Sequence, residues 1–336
     1  MKKIDFLAIG DIVIDAFIKL KDAHVHKGID DSESSELCIR FGDKVPYESV
    51  DIITAVGNSP NAAVSASRLG LSSAVMTNIG NDKNGQDCLD KLREEKIDTT
   101  FVKTEEGKKT NYHYVLWYGV ERTILIKHEN FNYEWTNTKK SQDYHSPSWI
   151  YLSSLGENSL QFHTEIADYL KRHINVKLAF QPGTFQISLG TEKLKDIYAR
   201  TEIFFCNVEE AEKILGIKNK DIKILSTGIH KLGPKIVSIS DGPNGAYASD
   251  GENIYFTPMY PDIAAPVDRT GAGDAFSSTF TSALALGKTI PEALSWGPIN
   301  SMSVVQKIGA QEGLLSKEKL EKYLKTAPKD YKLTKI

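Results

Sequence analysis

The chain has 336 residues, enough for one large α/β domain or two ordinary ones with a sizeable core. A composition of 40% hydrophobic and 25% charged residues, a net charge of −3 and a pI near 6.3 exclude the basic footprint of a nucleic-acid-binding protein. No charge-free run is long enough to span a bilayer, and Cys38, Cys88 and Cys206 form no CxxC pair, which suits a reducing cytoplasm with each thiol a small buried hydrophobe.

The N-terminal "MKKIDFLAIGDIVIDAFI" looks superficially like a signal peptide, but Asp5, Asp11 and Asp15 interrupt its apolar run, so it reads as a first strand. Strands are predicted at 6–10, 74–80, 149–153, 177–183, 202–207 and 235–240. Runs such as "AVMT" and "IFFC" lack strict alternation, as expected of strands covered on both faces. Helical spacing falls at about 59–69, 84–96, 158–173, 207–216, 271–287, 290–307 and 316–326. This alternation predicts an α/β fold with a mostly parallel sheet, helices on both faces, and ligands beyond the carboxyl ends of the strands. Residues 11–55 and 101–128 break the rhythm. They hold "IVIDAFIKL", "LCIRF", "VDIITAV", "FVKT", "TNYHYVLWY" and "ERTILIKH", with the polar loop "KDAHVHKGIDDSESSE" between the first two. These read as antiparallel strands of a small β-sheet lid over a core of 1–10, 56–100 and 129–336; extra edge strands on the main sheet are the alternative.

"DRTGAGDAF", residues 268–276, leads into a helical run, so Gly271, Ala272 and Gly273 sit where a helix begins. Small residues let a ligand approach the backbone, and the first amides of a helix lack internal partners, so the turn reads as a cradle for a phosphoryl group. Asp274 follows directly; at a helix N-terminus its carboxyl is expected to have a low pKa and act as a base that is always ionised. An ordinary glycine turn with a capping Asp is the plain alternative.

The stretch resembles the DTxGAGD signature of the ribokinase-like (PfkB-type) sugar and nucleoside kinases, and the resemblance runs across nearly the whole chain in the expected order. It implies a three-layer α/β/α core with the lid sheet, Asp274 as catalytic base, and the backbone of Gly271, Ala272 and Gly273 as anion hole. Arg269 stands where the family usually has Thr. "VGNSPNAAVSASRLG", 56–70, is similar to the second family signature, with Gly57 and Asn61 at the helix mouth as acceptor-binding groups and Val56 in place of one glycine of a pair. Ser59 is the expected cap, with Pro60 at the first helical position. Asp11 and Asp15 match the family's sugar-gripping carboxylates; exposed edge-strand charges are the alternative.

"NVEEAEKILG" resembles the family's NxxE element, implying Asn207 and Glu210 near phosphate and a largely hydrated Mg2+; the same pair also forms a capping box. By the same resemblance Ser240, Gly242 and Gly245 in "SISDGPNGAYAS" lie beside the nucleotide, unless the stretch is a plain hairpin turn. "VVQKIGAQEG", with Asp268 and Thr270, resembles the loop at the family's monovalent-cation site, implying K+, although Arg269 and Lys307 put cations nearby. His24 and His26 lack a third metal ligand, and Tyr112, Tyr114, Trp117 and Tyr118 read as packing between strands.

The resulting expectation is an ATP- and magnesium-dependent kinase acting on a hydroxyl of a small sugar. An adenosine-type nucleoside kinase on the same fold and a non-catalytic sugar- or nucleotide-binding regulator are the alternatives. A dinucleotide-dependent dehydrogenase is disfavoured because the first βα turn lacks GxGxxG. Lid strands of the family often pair between subunits, so the resemblance also implies a homodimer through the lid.

Overall fold

The computed structural model describes residues 3–27, 35–119, 121–135 and 146–336. The polar loop expected at 21–36 and the core segment expected from 129 therefore lie partly outside the described residues. In chain order, β1 (Phe6–Ile9), β2 (Val13–Leu20), β3 (His24–Lys27), β4 (Ser35–Cys38) and β5 (Tyr47–Val56) precede helix α1 (Asn58–Arg68). Then follow β6 (Ser73–Gly80), α2 (Lys83–Glu94), β7 (Val102–Glu105), β8 (Asn111–Tyr118), β9 (Glu121–Leu125), β10 (Trp149–Leu152), α3 (Leu160–Arg172), β11 (Lys177–Phe180), α4 (Thr184–Leu189) and α5 (Lys195–Arg200). The remainder comprises β12 (Thr201–Asn207), α6 (Val208–Leu215), α7 (Ile222–His230), β13 (Ile236–Ser240), β14 (Ala246–Ser249), β15 (Ile254–Thr257), α8 (Ala272–Ala285), α9 (Ile290–Val304), α10 (Lys317–Lys325) and β16 (Thr334–Lys335).

A ten-stranded sheet runs in the order β16-β15-β14-β13-β12-β11-β10-β1-β6-β7. It is parallel from β13 to β7, with β14, β15 and β16 added antiparallel at one edge. Alternate residues of each strand enter different cores. Phe6 and Ala8 of β1 pack with α1, α8 and α9 residues such as Ala62, Phe280 and Trp296. Leu7 and Ile9 pack on the opposite face with Phe162, Ile166, Ala211 and Leu225. All four residues of β1 are buried, which is why its sequence is a continuous apolar run without alternation. The chain leaves β1 toward β6 on one side and β10 on the other, so the topological switch, and the crevice it opens at the strand ends, lies beside β1.

A separate four-stranded sheet has the order β5-β2-β8-β9, and β3 pairs with β4. Three details correct the sequence reading. Val102–Glu105, assigned to the lid, pairs parallel with β6 and extends the main sheet. Within the small sheet β2 and β8 run parallel rather than antiparallel, because the chain crosses the core between them. The stretch read as polar loop contributes β3, whose alternating His24, His26 and Val25 gave a weak strand signal. Of the cysteines, Cys88 and Cys206 are buried but Cys38 is half-buried on β4, and all are free thiols. Among the described residues no helix is long and apolar enough to cross a membrane.

Candidate active site

Helix α8 begins at Gly271, whose φ of 79° is left-handed. A Cβ there would lie 2.3 Å from Ala310 Cβ, so both backbone angle and space require glycine. Gly273, the second residue of the helix, is exposed and faces open space. The amide of Ala272 makes a long bond of 3.5 Å to the Arg269 carbonyl, and the helical ladder starts only with Ala275 N–H donating to Gly271 O. Among the described residues the amides of Gly273 and Asp274 thus have no acceptor, as a helix N-terminus dictates.

The Asp274 carboxylate sits beside these amides, partly accessible. It accepts from three neutral amides: Asn58 Nδ2 at 2.8 Å and Gln181 Nε2 at 3.3 Å on Oδ1, and Asn61 Nδ2 at 2.9 Å on Oδ2. Outer donors fix which way these amides point. Tyr151 OH donates to Gln181 Oε1, and Gln311 Nε2 donates to Asn61 Oδ1 at 3.0 Å and to Ala55 O at 2.7 Å. The low pKa expected from the helix terminus is corrected here. Burial pushes the Asp274 carboxyl up, and the bonds from Asn61, Gln181 and Asn58 only partly offset it. A base of this kind works above its raised pKa and fails as pH falls through it. Removing a bond that lowers the pKa should raise it further, so Gln181→Leu is expected to move the acid limb of a kcat/KM–pH profile to higher pH. An unmoved limb would show that Gln181 does not tune Asp274.

The acceptor side is built around the start of α1. Gly57 is the N-cap, with φ 119° and a would-be Cβ 2.7 Å from Asp11 O, so the helix begins one residue beyond it. The expected cap, Ser59, instead lies inside the first turn with its hydroxyl buried and unbonded. This shift sends Asn58 and Asn61 to Asp274 while Gly57 backs onto Asp11. Asp11 is buried and ligated: Tyr133 OH donates to Oδ1 at 2.7 Å, and His128 Nδ1 lies 3.0 Å from Oδ2. Burial and the adjacent Asp11 push the Tyr133 phenol up, so it stays a donor. Asp15 lies 3.5 Å from His113 Nδ1, and the His113 and His128 rings meet at 5.5 Å. Asp15 Oδ1 and His113 Nε2 are buried without a hydrogen-bond partner among the described residues.

A cavity of about 300 Å³ is lined by Asn58, Gln181, Asn207, Glu210, Gly273 and Ser277 among others. A second cavity of about 370 Å³ shares Ser240, Gly273 and Phe276 with the first and adds Gly242, Gly245, Met259, Pro298 and Met302. Asn207 caps α6 reciprocally: its Oδ1 accepts from Glu210 N at 2.8 Å, and Glu210 Oε2 accepts from Asn207 N at 2.9 Å. Among the described residues no donor reaches Glu210 Oε1, and burial raises the carboxyl pKa. Asp268 and Thr270 form a tight turn, Asp268 Oδ1 accepting from Thr270 N at 2.9 Å and Thr270 Oγ1 at 2.7 Å.

Thus Gly271, Ala272, Gly273, Asp274, Asn207, Glu210, Ser240, Gly242 and Gly245 border one continuous cleft or brace its wall, while Gly57 and Asn61 link it to Asp11. The sequence reading did not single out Asn58, Gln181, His113, His128, Tyr133 or Gln311. Gln181, a polar residue closing the apolar strand "KLAF", was a usable signal; the histidines sit far along the chain and carried none.

The pfkB family carbohydrate kinase profile matches residues 39–317. The chain belongs to this family. Its members are phosphotransferases with an alcohol group as acceptor, and this chain is a sugar kinase of that class. It is 25% identical over 321 residues to an ATP-dependent 6-phosphofructokinase of Thermoanaerobacterium thermosaccharolyticum, covering 92% of this chain and 90% of that one. It is 27% identical to a ribokinase of Haemophilus influenzae, covering 81% and 87%. In fold it is similar to the Arabidopsis thaliana ribokinase solved with ribose and ATP, with TM-score 0.80 at 18% identity, covering 96% of this chain and 99% of that one. The pfkB family match and the ribokinase fold bear out the α/β/α reading and the small separate sheet.

Proposed function

We propose that the chain is an ATP-dependent kinase that transfers the γ-phosphoryl group to a hydroxyl of a small unphosphorylated sugar. The observation that carries this is the pair of unbonded amides, Gly273 and Asp274, at a helix start whose Gly273 lines both cavities, with the Asp274 carboxylate on the very next residue. The apolar cavity walled by Met259, Phe276, Pro298 and Met302 suits an adenine ring, and Ser240, Gly242 and Gly245 line its approach. The acceptor hydroxyl lies against Asp274, which takes its proton as the bond to phosphorus forms, and the free amides hold the charge on the migrating group. Asp11, Asp15, Gly57 and Asn61 orient the polyol.

Glu210 fits a hydrated magnesium ion: a half-buried carboxylate, one oxygen of which has no donor among the described residues, lines the cavity beside Asn207. Bound there, the ion would neutralise polyphosphate charge. The outer face of the lid sheet exposes Val50, Ile52, Tyr114 and Leu125, which supports a homodimer through the lid. The three free thiols support a reducing, cytoplasmic setting.

A coupled assay of ADP release across free sugars, phosphorylated sugars and nucleosides tests the reading. Turnover with a free sugar is expected to exceed the others. A preference for nucleosides or phosphorylated sugars would reject the acceptor assignment, and no turnover with any acceptor would favour a binding-only protein.

A further inference from the structure

We infer that Arg122, on lid strand β9, is the resident cation of the turn that opens α8, so that nucleotide binding needs no added monovalent ion. The inference rests on the proposed phosphoryl-binding role of that turn. Asp268 is the charged group behind it, and its side chain is only 8% exposed. Each neighbour facing the carboxylate is a donor: Thr270 N and Oγ1 on Oδ1, Gly309 N on Oδ2 at 2.9 Å, and Arg122 Nη1 at 3.9 Å from Oδ1. A potassium or sodium ion needs oxygen ligands, and three donors bonded to the one carboxylate together with a guanidinium 3.9 Å from it oppose it, so the residues present do not fit the ion the family resemblance implied. A buried carboxylate nevertheless demands a counter-charge. Among the described residues Arg122 is the ion-pair partner of Asp268.

The connection from Asp268 to the amides is short. Its Oδ1 braces Thr270, immediately before Gly271, and its Oδ2 holds Gly309, immediately before Ala310, the residue packed on Gly271. The lid touches the same place a second time. A Cβ on Gly309 would lie 2.3 Å from Ile53 Cδ1 of β5, so that glycine admits the lid side chain. Positive charge and lid position therefore arrive at the turn together, and lifting the lid withdraws the cation from behind the amides.

Titration calorimetry with adenylyl imidodiphosphate tests this without an acceptor. At constant ionic strength, exchanging tetramethylammonium chloride for potassium chloride should change the wild-type affinity by less than about twofold. Arg122→Gln should bind about fivefold or more weakly in tetramethylammonium and recover in part with potassium, in the range of ordinary coupling between sites. Arg122→Lys, which keeps the charge, should stay close to wild type, and matched thermal unfolding midpoints would show that the variants are folded. A saturable potassium enhancement of wild-type binding would overturn the inference, whatever the variants do. So would an Arg122→Gln protein indistinguishable from wild type in both salts. Absence of nucleotide binding in every buffer would instead remove the phosphotransfer reading, and this inference with it.

Discussion

Asp274→Ala is expected to lower turnover roughly 10²–10⁴-fold while nucleotide affinity changes little. The carboxylate is the acceptor for Asn58, Asn61 and Gln181 and, among the described residues, has no ion-pair partner, so only neutral donors temper the basicity that burial raises. The wider cavity that suits the nucleotide base is lined by Gly273 and Ala272 but not by Asp274, which is why binding should survive. Alanine is a cleaner variant than asparagine, whose NH₂ would face donors held in orientation by Tyr151 and Gln311. A coupled kinetic assay beside calorimetric nucleotide binding separates the two effects. Turnover at the wild-type level would reject Asp274 as base.

Gly271→Ala should damage both stability and turnover. The left-handed backbone at φ 79° and a Cβ 2.3 Å from Ala310 Cβ each cost roughly 1–3 kcal/mol, unless the two turns separate. Separation would displace the amides of Gly273 and Asp274, and losing one such donor typically costs about 10²–10³ in kcat. Gly273→Ala is the contrasting variant. Its site is helical and open, so thermal stability should hold or rise, while the added methyl enters the space proposed for the phosphoryl group. Equal melting temperatures for wild type and Gly271→Ala would refute the steric argument. Undiminished turnover in both variants would refute the anion hole.

The main sheet was legible because β1, β6, β10, β12 and β13 are buried on both faces and announce themselves as apolar runs. Helices α4 and α5 were not, since six residues carry too little periodicity to register. Val102–Glu105 misled because a short strand with mixed burial reads alike on either sheet; only its pairing with Thr77–Gly80 assigns it. In the site, Asp274 and the glycines stood together in one motif, whereas the groups bonded to Asp274 come from two distant segments, 58–61 and 181, and are oriented by Tyr151 and Gln311 from two more. Burial then reversed the pKa direction that the helix terminus alone suggests. Local sequence cannot report the desolvation of Asp274, because that depends on what the fold later places around the carboxylate.

The small sheet is assembled from strands that lie far apart along the chain, with Val13 aligned on Asn111 and Tyr47–Val56 on its other side. Such contacts repay their loop-closure entropy only after the intervening segments have docked. Refolding should therefore complete this layer last, and its backbone amides should exchange with solvent sooner than those of Phe6–Ile9. Because no contiguous stretch holds its partners, excising the layer would leave unpaired edges rather than a free-standing module.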